Sequence, residues 1–146
     1  MGDSLSIFCD GGALGNPGPA ASAFVVFQAG KVIYKFAKKI GHTTNNVAEY
    51  EAVIAALEWL RDQSSIINHK QSLLLRNQSI NFFLDSQLVV NQLNGLFKIK
   101  AAKLRLLIIK AKTLEQELPL KIYYHHVRRE KNKFTDALVR NALLKK

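Results

Sequence analysis

Apolar residues recur along this chain with two different periods, and each change of period marks a change of element. Residues 5–10 (LSIFCD) are mostly apolar, β-branched or aromatic and predict a central strand that stops on an acid. Residues 20–28 (AASAFVVFQ) and 31–40 (KVIYKFAKKI) predict two more strands, joined by the hairpin signal Ala29-Gly30. The third alternates, with Val32, Tyr34, Phe36 and Lys38 sharing one face, which predicts an edge strand with a wet side. Over residues 45–62 the period becomes helical. Val47, Tyr50, Val53, Ile54, Leu57 and Leu60 make one apolar face, and Asn45 or Asn46 is the expected N-cap.

Residues 63–79 are polar and turn-like around an apolar Leu73, Leu74 and Leu75, and fit either a plain loop or a hairpin extension of the next strand. Residues 80–85 (INFFLD) predict another buried strand ending in aspartate. A helix over 87–93 is closed by Asn94-Gly95. Residues 101–117 predict a longer helix that buries Leu104, Leu107, Ile108, Ala111, Leu114 and Leu118 and turns Leu106 and Ile109 outward. Pro119 ends it, 120–127 (LKIYYHHV) predicts the last strand, and 132–144 the last helix. The order βββαβααβα, one hairpin and then crossovers, implies an α/β fold whose mixed sheet carries helices.

The 146 residues suit a single domain spanning 1–146, and 48% hydrophobic content is ordinary for one. No apolar run approaches the ~18–20 residues of a membrane span, so no membrane partner is expected. The start lacks a basic segment followed by an apolar one, so no signal peptide is expected. Gly2 is discounted as a myristoylation site because a strand begins almost at once. The single cysteine excludes an internal disulfide and a multi-cysteine zinc site, and Cys9, alternating with Asp10, is expected in the core. A cytoplasmic monomer is the expected setting. Lys and Arg outnumber Asp and Glu by 21 to 11, for a net charge of +10 and a pI near 9.9. That balance favours an anionic partner, most often nucleic acid; a basic surface without one is the bland alternative.

Charge also draws attention to four acids at the margins of elements. Asp10 and Asp85 end two strands, Glu49 lies in the first turn of the long helix, and Asp136 early in the last one. Adjacent parallel strands that both end in aspartate bring the carboxylates together at the sheet edge where α/β ligands bind. Singly, each has a plainer explanation: Asx turns for Asp10 and Asp85, the helix dipole for Glu49 and Asp136. Together they repel, and divalent cations relieve the repulsion. An oxygen-only set points to Mg²⁺ or Mn²⁺, and two such ions roughly 3.5–4 Å apart suit in-line attack on a phosphodiester.

The blocks DGGALGNPGPA, TNNVAEYEAVIAALEWL, FFLDSQLVVNQLNG and HHVRREKNKFTDALVRNAL, in order over nearly the whole chain, resemble type 1 ribonuclease H in its compact form without the basic protrusion. The resemblance implies a five-stranded ribonuclease H-like fold. It implies hydrolysis of the RNA strand of an RNA–DNA hybrid with two metal ions, Mg²⁺ or Mn²⁺, leaving 5′-phosphate and 3′-hydroxyl ends. The metal-binding carboxylates then fall on Asp10, Glu49, Asp85 and Asp136. Gly11, Gly12 and Gly15 would let backbone approach the RNA, with Asn16 meeting 2′-hydroxyls and phosphates. Asn45 and Asn46 match residues that contact the hybrid's minor groove, Thr44 one that holds a DNA phosphate, and Gln87 one that touches a base or ribose.

His126 matches a mobile histidine that assists product release in longer members; a half-buried strand histidine is the alternative. Arg128, Arg129 and Asn132 are expected to border the site, with Arg129 and Asn132 contacting the nucleic acid, unless Arg129 pairs with Glu130 or the last helix. Lys98, Lys100, Lys103, Arg105, Lys110 and Lys112 form either a solvated helix surface or a diffuse DNA contact. Two rival functions share this fold: a non-catalytic hybrid-binding module, and a related nuclease acting on double-stranded RNA or DNA.

Overall fold

A computed structural model describes residues 5–66, 79–96 and 98–145. Strands β1 (Leu5–Ala13), β2 (Gly18–Gln28) and β3 (Lys31–Thr43) form an antiparallel meander, and β4 (Ser79–Leu84) and β5 (Lys121–His126) continue the sheet in parallel, in the order β3-β2-β1-β4-β5. Four α-helices lie among the described residues: α1 (Asn45–Ile66), α2 (Gln87–Leu93), α3 (Ala102–Glu117) and α4 (Lys133–Leu144).

The period of two sorts side chains between the faces of the sheet. Leu5, Ile7 and Cys9 of β1 lie on one face with Phe24, Val26, Ile80, Phe82, Leu84 and Tyr124. Against them α1 packs Tyr50, Val53, Ile54 and Leu57, and α3 adds Ala111 and Leu114. Each fully buried large side chain of this kind contributes about 1.5–3 kcal/mol. Leu106 and Ile109 of α3 face outward as their spacing predicts. On the second face, Ala21 and Ala23 of β2 are small enough for α4 to settle on them through Val139, flanked by Leu138, Ala142 and Leu143.

Several boundaries differ from the periodic reading. A register shift between Val26 and Phe27 breaks the alternation of β3. Tyr34 and Phe36 keep the core side, against Trp59 and Phe24, whereas Val32 pairs with Phe27, whose ring meets Phe8 on the other face. Helix α1 runs on through residue 66, so the segment read as a connection from 63 starts helical; residues 67–78 of that segment lie outside the described residues. Its N-cap is Thr44, not Asn45 or Asn46: Thr44 Oγ1 accepts from the Val47 N–H at 3.3 Å, and Thr44 O from the Ala48 N–H. Glu49 therefore opens the second turn. Strand β1 does not stop at Asp10 but stays paired to β2 through Ala13.

Candidate active site

The register of the two parallel central strands builds the site. Pairing of β1 with β4 ends at Phe8 opposite Phe83. Two residues further along each chain come Asp10 and Asp85, at the level where β4 has ended and β1 continues beside β2 alone. The carboxylates thus project into a notch left by the shorter strand.

Glu49 arrives because α1 is pressed onto β1. A Cβ on Gly11 would stand 2.2 Å from the Ala48 carbonyl carbon and 2.4 Å from the Glu49 nitrogen, so only glycine permits this approach. Ser22 Oγ holds the same turn by donating to Ala48 O at 2.6 Å. Asn45 Oδ1 accepts from the Ala13 N–H at 2.8 Å, and Asn16 Oδ1 from the Asn45 N–H at 2.9 Å, tying the β1–β2 loop to the helix start. These bonds engage the carboxamide oxygens, which leaves the NH₂ groups as the donors available to a ligand.

Asp10, Glu49 and Asp85 each offer an oxygen within 4.8 Å of the others. Burial first, then the Asp85 and Asp136 charges, push Asp10 up to about 8, while the Gly11 N–H and Arg129 pull the other way. Burial first, then Asp10 and Asp85, push Glu49 up to about 9, opposed by Arg129 and a Ser86 hydroxyl bond. Glu49 Oε2 is buried without a hydrogen-bond partner. An all-oxygen cluster with an orphaned carboxylate oxygen and mutual repulsion fits hard divalent cations. Asp136, in the first turn of α4, lines the same cavity of about 270 Å³ but stands outside the closest trio and pairs with Arg140 at 3.0 Å.

The other expected residues separate into groups. Gly11, Gly12, Asn45 and Arg129 line the cavity. Gly15, left-handed at φ +81°, and Asn16 sit on the exposed loop beside it. Thr44 and Asn46 are half-buried at the start of α1, and Gln87 is exposed at the start of α2. Arg128, not Arg129, approaches Glu130, at 3.9 Å. His126 is exposed at the end of β5 and does not line the acidic cavity. Lys112 lies 3.2 Å from Glu115 and over the Tyr124 ring, so one member of the basic group on α3 is engaged within the fold.

Asn132 is a correction. At 1% exposure its side chain is closed to nucleic acid. Instead Nδ2 donates to Cys9 O at 2.9 Å and to Asp85 Oδ2 at 3.4 Å, bracing the strand ends beneath the carboxylates. Sequence reasoning missed Arg140, Ser86 and the apolar rim of Leu14, Val139 and Leu143. Only Arg140 had a signal, its i,i+4 spacing from Asp136.

The family model for RNase H matches residues 2–143. Ribonuclease HI of Halobacterium salinarum is 35% identical over 143 residues, covering 97% of this chain and 65% of its own. The bifunctional protein Rv2228c of Mycobacterium tuberculosis is 35% identical over 139 residues, 94% of this chain, which spans only 35% of that relative's length. Among solved structures, LC11-RNase H1, isolated from compost, superposes with a TM-score of 0.85 at 37% identity, over 97% of this chain and 96% of its own. The same protein has been solved in complex with an RNA/DNA hybrid, with a TM-score of 0.85, 34% identity and 96% coverage of each chain. By this match along its length, joined to the sheet order and the placement of the acids, the chain belongs to the RNase H family.

Proposed function

We propose that the protein is an endoribonuclease that hydrolyses the RNA strand of RNA–DNA hybrids, leaving 5′-phosphate and 3′-hydroxyl ends. The observation that carries this reading is the trio of converging carboxylates, one with an orphaned oxygen, in a chain of net charge +10. A surface meant only to hold phosphates has no use for such a cluster, which argues against a non-catalytic binding module. The hybrid complex of LC11-RNase H1 supports the choice of substrate.

Asp10, Glu49 and Asp85 would hold divalent ions, with Asp136 completing the set. Such ions, when bound, supply Lewis acidity toward the phosphate and lower the pKa of attacking water. The chain's own groups do the rest. Asn132 sets the orientation of Asp85, Arg140 that of Asp136, and Arg129 adds positive charge at the mouth of the cavity. Chemistry at a phosphate cannot distinguish ribose from deoxyribose, so neighbouring donors must read the 2′-hydroxyl. The NH₂ groups of Asn16 and Asn45, with Gln87 at the exposed start of α2, are the candidates.

The test offers labelled hybrid, double-stranded RNA, DNA duplex and single strands, each with Mg²⁺, Mn²⁺ or EDTA. Cleavage is expected in the RNA strand of the hybrid, with either ion and not with EDTA. Asp10→Asn, prepared free of host nuclease, should lose activity by a factor of order 10³ or more while keeping its fold. Near-normal turnover by that variant, or DNA duplex cut as fast as hybrid, defeats the assignment.

A further inference from the structure

A second groove lies on the other side of α4 from the acids, between that helix and the edge strand β3. Its volume is about 710 Å³, and Lys35, Lys38, Lys39 and Lys145 line it over a floor that includes Ala37 and Leu138. Its lining holds no acid. The sequence deepens the asymmetry: between Asp10 and Glu49 there are four lysines and no aspartate or glutamate, and no acid follows Asp136. Lys39 has an internal task, since its Nζ donates to the Lys145 carbonyl at the end of α4. Lys35 lies 6.0 Å from the centre of the Phe134 ring, and its side chain and that of Lys145 are exposed, whereas Lys38, paired with Ser22, turns its side chain to the α1 face.

An edge strand needs charge to discourage pairing with another sheet, which would account for some lysines. Lys145 lies at the end of α4 and not on the sheet edge, so edge protection does not account for it, and β3 has no acid to balance the lysines. A groove bordered by cations without counter-charges instead fits a polyanion. Its position is informative as well. Helix α4 turns Val139, Arg140 and Leu143 toward the acidic cavity, and Leu138, Asn141 and Ala142 toward the lysines. A strand leaving the acids over α4 would meet this groove next.

We propose that the β3–α4 groove is a second phosphate track, which takes the sugar-phosphate backbone of a duplex where it extends beyond the active site. The direction of the track rests on the hybrid as the active-site ligand. Lys35 of β3 and Lys145 at the end of α4 contact phosphates there without reading sugar or base, so the groove adds affinity for long duplexes and leaves the chemical step alone.

Binding is measured by fluorescence anisotropy on an Asp10→Asn background, with and without Lys35→Ala/Lys145→Ala, and with Lys35→Glu as a charge reversal. The probes are hybrids of ~8 and ~24 base pairs, at ~3.4 Å per step roughly 27 and 82 Å long, and a DNA duplex of the longer size. Loss of two phosphate contacts should make the slope of log K against log[salt] shallower by about 1.8, at ~0.9 per contact, on both long duplexes and not on the short hybrid. Lys35→Glu should weaken long-duplex binding further. With Asp10 intact, the double variant should keep wild-type kcat on the short hybrid. Unchanged slopes on the long duplexes overturn the track, and so does an equal change on short and long hybrids, which would place the lysines within the active-site footprint. Failure of the wild type to cut hybrid would instead overturn the proposed activity, and the anisotropy arms would still decide the groove.

Discussion

At Asp10 and Glu49 the chain holds two buried carboxyls whose folded values, about 8 and about 9, lie far above the ordinary 3.8 and 4.5. The sign of the linkage follows directly. Below about pH 4 both folded and unfolded chains keep these protons, and the stabilising difference is fully present. Above that the unfolded chain releases them first, so stability falls until the pH passes the folded values. Without metal, the melting temperature should therefore decline from about pH 5 to about pH 9. Asp10→Asn should flatten the decline, because it removes one of the two titrating groups and a charge that repels Glu49 and Asp85. Added Mg²⁺ should restore stability most at the alkaline end, where protons no longer compete for the carboxylates. Thermal unfolding in EDTA and in Mg²⁺ across this range checks all three outcomes; a metal-free protein that grows more stable on alkalisation would contradict them.

Between elements, the contact that decides the site is the approach of α1 to β1. Gly11 is where sequence reasoning and structure diverge most usefully. Its lack of a side chain was assigned to close approach of RNA, but a Cβ there would collide with the backbone of Ala48 and Glu49. Helix packing alone demands the glycine. Gly12, next along the chain, has only Val139 Cγ1 at 3.6 Å, an ordinary contact. Gly11→Ala should thus push α1 away from β1, at a cost of about 1–3 kcal/mol or more, while Gly12→Ala should change stability little. At ~2–4 °C per kcal/mol for a domain of this size, thermal unfolding resolves the pair. Because Glu49 rides on α1, Gly11→Ala should also weaken Mg²⁺ binding in a calorimetric titration. Equal melting temperatures for the two variants would show that the helix yields without strain.

Over the whole molecule, a net charge of +10 is set against a cluster of acids confined to one notch. If ~4–6 phosphates of a bound hybrid are neutralised, log K should fall against log[salt] with a slope of about −4 to −5. A flat titration would separate the basic surface from the binding surface. Much of this organisation was readable in the chain. The apolar spacing of Val47 to Leu60 marked the buried face of α1, the run Ile80 to Leu84 marked a central strand, and four acids at element margins marked the site. Period and chemistry are local properties, and a linear sequence records them. Other features depended on partners distant in the chain. The shift that turns Val32 away from Tyr34 arises only when β3 is laid against β2. Asn132 looked like a surface contact until folding carried it 123 residues back to Cys9 and buried it under Asp85. The lysines of β3 and the end of α4 became one groove only when Ala21 and Ala23 let the helix settle on the sheet. Sequence by itself determined which residues can carry charge, bury or turn, because those are properties of side chains and near neighbours. Tertiary structure decided which of them meet, because register, helix approach and burial are set by packing between segments far apart in the chain.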